Sequence, residues 1–157
     1  MKFTDIAIRI ALEAHGGTIN KHDGELYILH VHRVASNFNP VTEPLKYATA
    51  WLHDVVEDTE VTPWDIEGAL FGAEDLSDLR NGAAGFVRAA VDLLTKDGRL
   101  SNDEYYEQLR PNPIARAVKI ADIHDNFGRN HLIEDEETRL RLGLKYSKGI
   151  ATLCRQT

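Results

Sequence analysis

The run His53-Asp54-Val55-Val56-Glu57-Asp58-Thr59 follows directly on Leu45, Ala48, Thr49 and Leu52, which have the spacing of a buried helical face. Five of its seven side chains can bind a divalent metal or move a proton. Helical spacing predicts that the run fills about two turns, with Glu57 one turn beyond His53 and Asp58 one turn beyond Asp54. Carboxylates and an imidazole set beside a core are costly unless something cationic neutralises them. A bound metal is the simplest neutraliser, so the rest of the chain has to fold in a way that serves this patch. Taken alone, His53-Asp54 reads as a buried hydrogen-bonded pair and Glu57-Asp58-Thr59 as a solvated helix end. Only other residues can decide between these readings.

The surrounding pattern is helical throughout. Ile6, Ala7, Ile10, Ala11 and Ala14 form one stripe, ended by Gly16-Gly17. After a polar turn from Lys21 to Tyr27, a second helix is predicted over Ile28 to Asn37, with Val31, Val34, Ala35 and Phe38 inward. A third runs from Pro44 through the opening motif. Thr62-Pro63-Trp64-Asp65 reads as a capping box at the head of a short helix ending near Gly72. Asn81 to Gly85 reads as a flexible link to a helix carrying Phe86, Val87, Ala90, Val91 and Leu94. Ser101 or Asn102 caps a helix with Tyr105, Tyr106 and Leu109. Pro111-Asn112-Pro113 leads into a helix from Ile114 to about Phe127, and a last helix covers roughly Asp135 to Leu153 behind an acidic start. With no alternating strand pattern, repeat or linker, residues 1–157 are expected to form an all-α, single-domain helical bundle.

Composition narrows the function. Asp and Glu outnumber Lys and Arg by 25 to 18, which argues against nucleic-acid binding through displaced counterions. A small phosphorylated ligand stays open, because a few local cations suffice. The single cysteine, Cys154, excludes an intrachain disulfide. The N-terminus lacks the apolar core of a signal peptide, and no apolar run has the length of a membrane span. A cytoplasmic protein with no membrane partner is the expectation.

His30 and Asp122 are the residues best placed to join His53 and Asp54. A set of two histidines and two aspartates suits Mn²⁺, Fe²⁺ or Zn²⁺ more than Ca²⁺. His32 is turned about 200° from His30 on a helix, so both cannot face one ion. Asp122 stands amid Val118, Ile120 and Ala121, which favours burial with a partner over an exposed pairing with Lys119. Glu57 and Asp58 then fall where they orient or deprotonate a water. Of the other histidines, His15 is the one placed to touch the site, while His124 and His131 read as surface. Trp51 and Trp64 read as core, and Tyr146 as packing.

Three local signatures, in order, resemble the HD superfamily of metal-dependent phosphohydrolases, and more narrowly the (p)ppGpp hydrolase domain of RelA/SpoT-type enzymes and their small single-domain relatives. They are Ala14-His15 with Lys21-His22-Asp23-Gly24 and Tyr27-Ile28-Leu29-His30; Trp51 to Thr59; and Asn112-Pro113-Ile114-Ala115 with Val118-Lys119-Ile120-Ala121-Asp122 and Asn126. The similarity spans Ala11 to about Arg129. It implies metal ligands at His30, His53, Asp54 and Asp122, with manganese as the first choice of ion. It implies Glu57 and Asp58 as handlers of the attacking water, and Lys21, His22 and Asn126 as contacts to phosphate, base and ribose. The implied activity is removal of the 3′-pyrophosphate from the alarmone (p)ppGpp, the chemistry of the stringent response. Lys21-His22 stands where that family carries Arg-Lys, and the loss of a planar guanidinium fork bears on substrate choice. The alternatives are an HD-type nucleotidase or phosphatase for another nucleotide, NADPH or a deoxynucleotide, and a non-catalytic nucleotide-binding module. Oligomeric state is left open.

Overall fold

The computed structural model describes residues 1–155. Helix α1 spans Phe3–His15, α2 Tyr27–Ala35, α3 Pro44–Leu52, α4 Val55–Asp58 and α5 Pro63–Leu70. A 3₁₀ turn, Leu76–Asp78, leads to α6 Ala83–Leu94, α7 Asn102–Leu109 and α8 Pro113–Arg129. A second 3₁₀ turn, Asn130–Leu132, precedes α9 Glu136–Leu153. The described residues contain no strand, only an isolated antiparallel bridge between Ile19 and Leu26 that closes the loop ahead of α2. None of their helices is long and apolar enough to cross a membrane.

Helix ends follow the local chemistry of the chain. The Asp65 amide donates to Thr62 Oγ1 at 3.2 Å while the Thr62 amide donates to Asp65 Oδ2 at 2.9 Å, completing the expected capping box. Ser101, not Asn102, caps α7, through the same reciprocal pair with Glu104. Asn112 Oδ1 accepts from the amides of Ile114 and Ala115 at 3.0 and 2.9 Å, so α8 begins on Pro113. Caps of this kind each contribute about 0.5–2 kcal/mol.

Helix α3 is the hub. Leu45, Ala48, Thr49, Ala50, Trp51 and Leu52 are all buried, and a helix apolar on most of its circumference belongs inside. It packs against α1, α2, α6 and α8, while α5 lies on α6 and α7 on α9. Because α2 and α8 flank α3, His30 and Asp122 arrive beside its C-terminal end.

Three expectations need correction. The helix from Pro44 does not run unbroken through the motif: α3 stops at Leu52, His53 and Asp54 form a turn, and a short α4 begins at Val55. On a continuous helix, successive side chains point about 100° apart; the break lets His53 and Asp54 aim at one place. Asn81 to Gly85 is not all link, because Gly82 takes φ +82° and Ala83 and Ala84 form the buried first turn of α6. Phe86 on that helix lies partly exposed, with the Arg80 guanidinium 3.9 Å over its ring. Trp64 is 68% exposed, with Arg88 4.2 Å over its ring, because α5 turns Ile66 and Leu70 inward instead.

Gly149 of α9 packs against α7 and α8: an added Cβ would lie 2.7 Å from Tyr106 Cζ and 3.0 Å from Ile123 Cδ1. Gly149→Ala is expected to destabilise the fold by about 1–3 kcal/mol through overpacking, measured by urea unfolding.

Candidate metal centre

His30 is buried on α2, and its ring is held at Nδ1, 2.7 Å from Oδ2 of Asp125 on α8. An ionised carboxylate only accepts, so Nδ1 carries a proton, and Nε2 is the nitrogen that offers a lone pair when the ring is neutral. His53, buried at the end of α3, donates from Nδ1 to the Ala50 carbonyl at 2.7 Å, which also satisfies a carbonyl of the last helical turn. Its Nε2 is likewise the nitrogen that offers a lone pair when the ring is neutral.

Both Nε2 atoms face carboxylates. His30 Nε2 is 3.2 Å from Asp122 Oδ1 and 4.0 Å from Asp54 Oδ2. His53 Nε2 is 2.9 Å from Asp54 Oδ2 and 3.7 Å from Asp122 Oδ1. That buried nitrogen nevertheless has no partner of good hydrogen-bond geometry. His30, His53 and Asp54 each offer a ligand atom within 4.8 Å of the others. Lone pairs turned on carboxylate oxygens at such distances repel unless a cation lies among them. The donor set therefore fits a divalent ion of the Mn²⁺, Fe²⁺ or Zn²⁺ type.

The electrostatics agree. Burial alone would push the His53 imidazole down, but Asp54 and Asp122 outweigh it and the net direction is well up. His30 goes the same way, with Asp122 and Asp125 overcoming its burial. Burial would raise Asp122, yet Lys119 and the two imidazoles hold it well below the usual carboxylate range. Asp54 is lowered too, chiefly by His53 against its own burial. The cluster thus favours positive charge at its centre.

Each carboxylate is also oriented from behind. The Tyr27 hydroxyl donates to Asp54 Oδ2. Lys119 Nζ donates to Asp122 Oδ2 at 2.8 Å, and Asn126 Nδ2 to Asp122 Oδ1 at 2.7 Å. Lys119 and a buried Asp122 are therefore partners, where the sequence reading had set burial and this pairing against each other.

Asp54 and Asp122 open on a cavity of about 160 Å³ whose wall includes Glu57, Lys96, Lys119 and Lys145. Asp58 faces another way, its Oδ2 3.8 Å from Nδ1 of buried His15, the expected neighbour of the site. Partial burial and the Asp54 charge push the Asp58 carboxyl up. His22 lines a separate small cavity with Asn126, Asp125 and Tyr146, whereas Lys21 is exposed on the turn and lines neither. His32 is exposed beside the Trp51 ring, as its 200° offset from His30 requires.

Tyr27, Arg33, Lys96, Asp125 and Lys145 were not singled out as site residues. For two of them a signal existed: Arg33 lies three residues past His30, and Asp125 three past Asp122, so each shares a helix face with a ligand. Lys96 and Lys145 come from distant segments, and only packing brings them to the cavity.

Fold and cluster together define an all-helical domain with a His/Asp centre suited to a metal. No family model matches the chain. Its fold is similar to that of a solved metazoan ortholog of SpoT, a protein that hydrolyzes ppGpp and plays a role in starvation responses. The TM-score is 0.72 at 24% identity, over 98% of this chain and 86% of the other. The fold implied by the sequence resemblance is the fold found.

Asp54→Ala is expected to lower retained Mn²⁺ from about one ion per chain by at least about tenfold, read by elemental analysis after gel filtration. Lys119→Met leaves the Asp122 carboxylate without its cation and should destabilise the metal-free protein by about 3–5 kcal/mol, read by chemical unfolding.

Proposed function

We propose that this protein is a metal-dependent pyrophosphohydrolase that removes the 3′-pyrophosphate from (p)ppGpp or a closely related nucleotide. One observation carries the reading: Asp54, grouped with His30 and His53, and the neighbouring Asp122 open directly on a cavity walled by Lys96, Lys119 and Lys145. Lys119 is paired with Asp122, but burial, and repulsion from Lys119 and Lys96, push the Lys145 ammonium down. A polyanion relieves that repulsion. In a chain of net charge −7, such a concentration of cations next to a metal centre matches a phosphate chain better than a neutral ligand. The solved SpoT ortholog, which hydrolyzes ppGpp, shares the fold and supports this choice of substrate.

In this mechanism His30, His53, Asp54 and Asp122 hold the ion, with manganese preferred and iron or zinc as alternatives. When bound, the ion supplies Lewis-acid activation of water and phosphoryl oxygen. Glu57, on the cavity wall, accepts a proton from the attacking water, and Asp58 acts with it from the His15 side. Lys96 and Lys145 neutralise the departing pyrophosphate. Asn126, which lines both cavities, meets the ribose, and phosphate and base extend past it toward His22, with Lys21 beyond on the exposed turn. The setting is cytoplasmic alarmone turnover, as in the stringent response. The Lys21-His22 pair favours a second reading, in which the same centre acts on another nucleotide, NADPH or a deoxynucleotide.

Incubation of the Mn²⁺-loaded protein with ppGpp should release pyrophosphate and GDP. Orthophosphate release from other nucleotides alone would favour the second reading, and nucleotide binding without turnover would favour a binding module. Glu57→Gln should keep its Mn²⁺ and lose about 10²–10⁴-fold in kcat. Lys145→Ala should raise KM by about tenfold or more, since it removes a charged hydrogen-bond donor.

A further inference from the structure

Two rungs join helices α2 and α8. His30 meets Asp122 on one, and one turn along Arg33 meets Asp125 on the next. The diagonal between them, from His30 Nδ1 to Asp125 Oδ2, is 2.7 Å. Arg33 grips Asp125 with a fork: Nε reaches Oδ1 at 2.6 Å and Nη2 reaches Oδ2 at 3.1 Å. This side-chain carboxylate is 11% exposed, so it is shielded far more than an ordinary surface ion pair.

The chain of charges continues into the turn ahead of α2. Arg33 Nη1 lies 2.8 Å from Glu25 Oε2, and Arg129 Nη2 lies 3.1 Å from the same oxygen. Arg129 also donates from Nε and Nη2 to Asp23 Oδ2 at 2.9 and 2.8 Å. Asp23 is 6% exposed at its side chain, and its Oδ1 accepts from the Glu25 amide at 3.0 Å. An unbroken path of charge-assisted contacts thus runs from the loop that carries Lys21 and His22 to the back of the His30 ring.

We propose that Asp125, clamped by Arg33, is the positioning residue for His30, and that Glu25 and Arg129 extend this control to the turn at residues 18–27. The inference rests on the metal reading above. Its physical content is a sequence of constraints. The guanidinium fixes the carboxylate plane, the carboxylate fixes the imidazole tautomer and plane, and Nε2 is thereby held as a lone pair aimed at Asp54 and Asp122. Without Asp125 the ring is free to rotate or to place its proton on Nε2, where it blocks a ligand position. Arg33 acts only through Asp125, and Glu25 only through Arg33. The effects of removing them should therefore be graded and should not multiply.

Calorimetric titration of the full chain with Mn²⁺ tests this, alongside ¹⁵N imidazole spectra of the metal-free protein. Asp125→Ala should weaken Mn²⁺ binding about 10–100-fold, Arg33→Ala less, and Glu25→Gln least. Asp125→Asn keeps an acceptor oxygen and should restore part of the loss. The Asp125→Ala, Arg33→Ala double variant should bind no more weakly than Asp125→Ala alone. In the metal-free wild type, His30 Nδ1 should carry a proton protected from exchange, and that signature should vanish in Asp125→Ala while thermal unfolding still shows a folded chain. Mn²⁺ binding by Asp125→Ala within about twofold of wild type, or fully multiplying losses in the double variant, would overturn the proposal. A wild type that takes up no divalent ion would overturn the metal reading instead. The metal-free spectra separate the cases, because a His30 Nδ1 found without a proton sinks the relay whatever the metal does.

Discussion

Two imidazoles whose Nε2 atoms are turned on two carboxylates, in space largely closed to water, are the arrangement on which the rest of this structure depends. Left uncompensated, it is repulsive and poorly solvated. The molecule meets that cost in layers. Ala50 and Asp125 take the outward ring protons, and Tyr27, Lys119 and Asn126 take carboxylate lone pairs. What stays unmatched is the middle of the cluster, where His53 Nε2 lies 2.9 Å from Asp54 Oδ2 without a proper hydrogen bond. The proposed ion answers that remaining mismatch.

The fold is organised to produce this convergence. Helix α3 is buried on most of its surface, so its C-terminal end delivers His53 to the interior, and the break at His53-Asp54 turns both side chains to one point. The flanking α2 and α8 each bring one ligand, His30 and Asp122, and one turn later Arg33 and Asp125, whose pairing braces the His30 ring from behind. Catalysis by such a centre is electrostatic. Preorganised charges are most effective where water is excluded and reorganisation is small. In the proposed reaction the lysine-walled cavity next to Asp54 and Asp122 would supply the complementary requirement, a place where negative charge on a departing group is stabilised. Asp58, facing His15 and pushed up in pKa, and Glu57, on the cavity wall, are adjacent in sequence but differ in surroundings, so they are not interchangeable.

Much of this was legible from residues alone because the signals were local. Thr62 and Asp65, Ser101 and Glu104, and Asn112 before Pro113 mark helix starts through chemistry contained within four residues. The apolar stripes of α1, α2 and α8 identified Val31, Val34, Val118 and Ala121 as core. The misreadings share one cause, which is tertiary context overriding local pattern. Continuous helical periodicity across Leu52-His53 concealed a turn whose benefit lies in the site. Small residues at Asn81 to Gly85 looked flexible because the partner helix that buries Ala83 and Ala84 is not a local signal. Trp64 looked like core because its size says nothing of which side of α5 it falls on.

By itself, the sequence determined that the chain is helical, where most helices begin and end, and which residue types could meet a cation, since capping, periodicity and ligand chemistry act over a few neighbouring residues. Only the tertiary structure decided that His30 and Asp122, 92 positions apart along the chain, stand 3.2 Å apart across two helices. It also decided that Lys96 and Lys145 share a cavity with Glu57 and that Asp125 braces His30. Contacts of that kind depend on how helix faces rotate and pack against α3, and the energy that sets those rotations is spread over the whole core, not written at any one position.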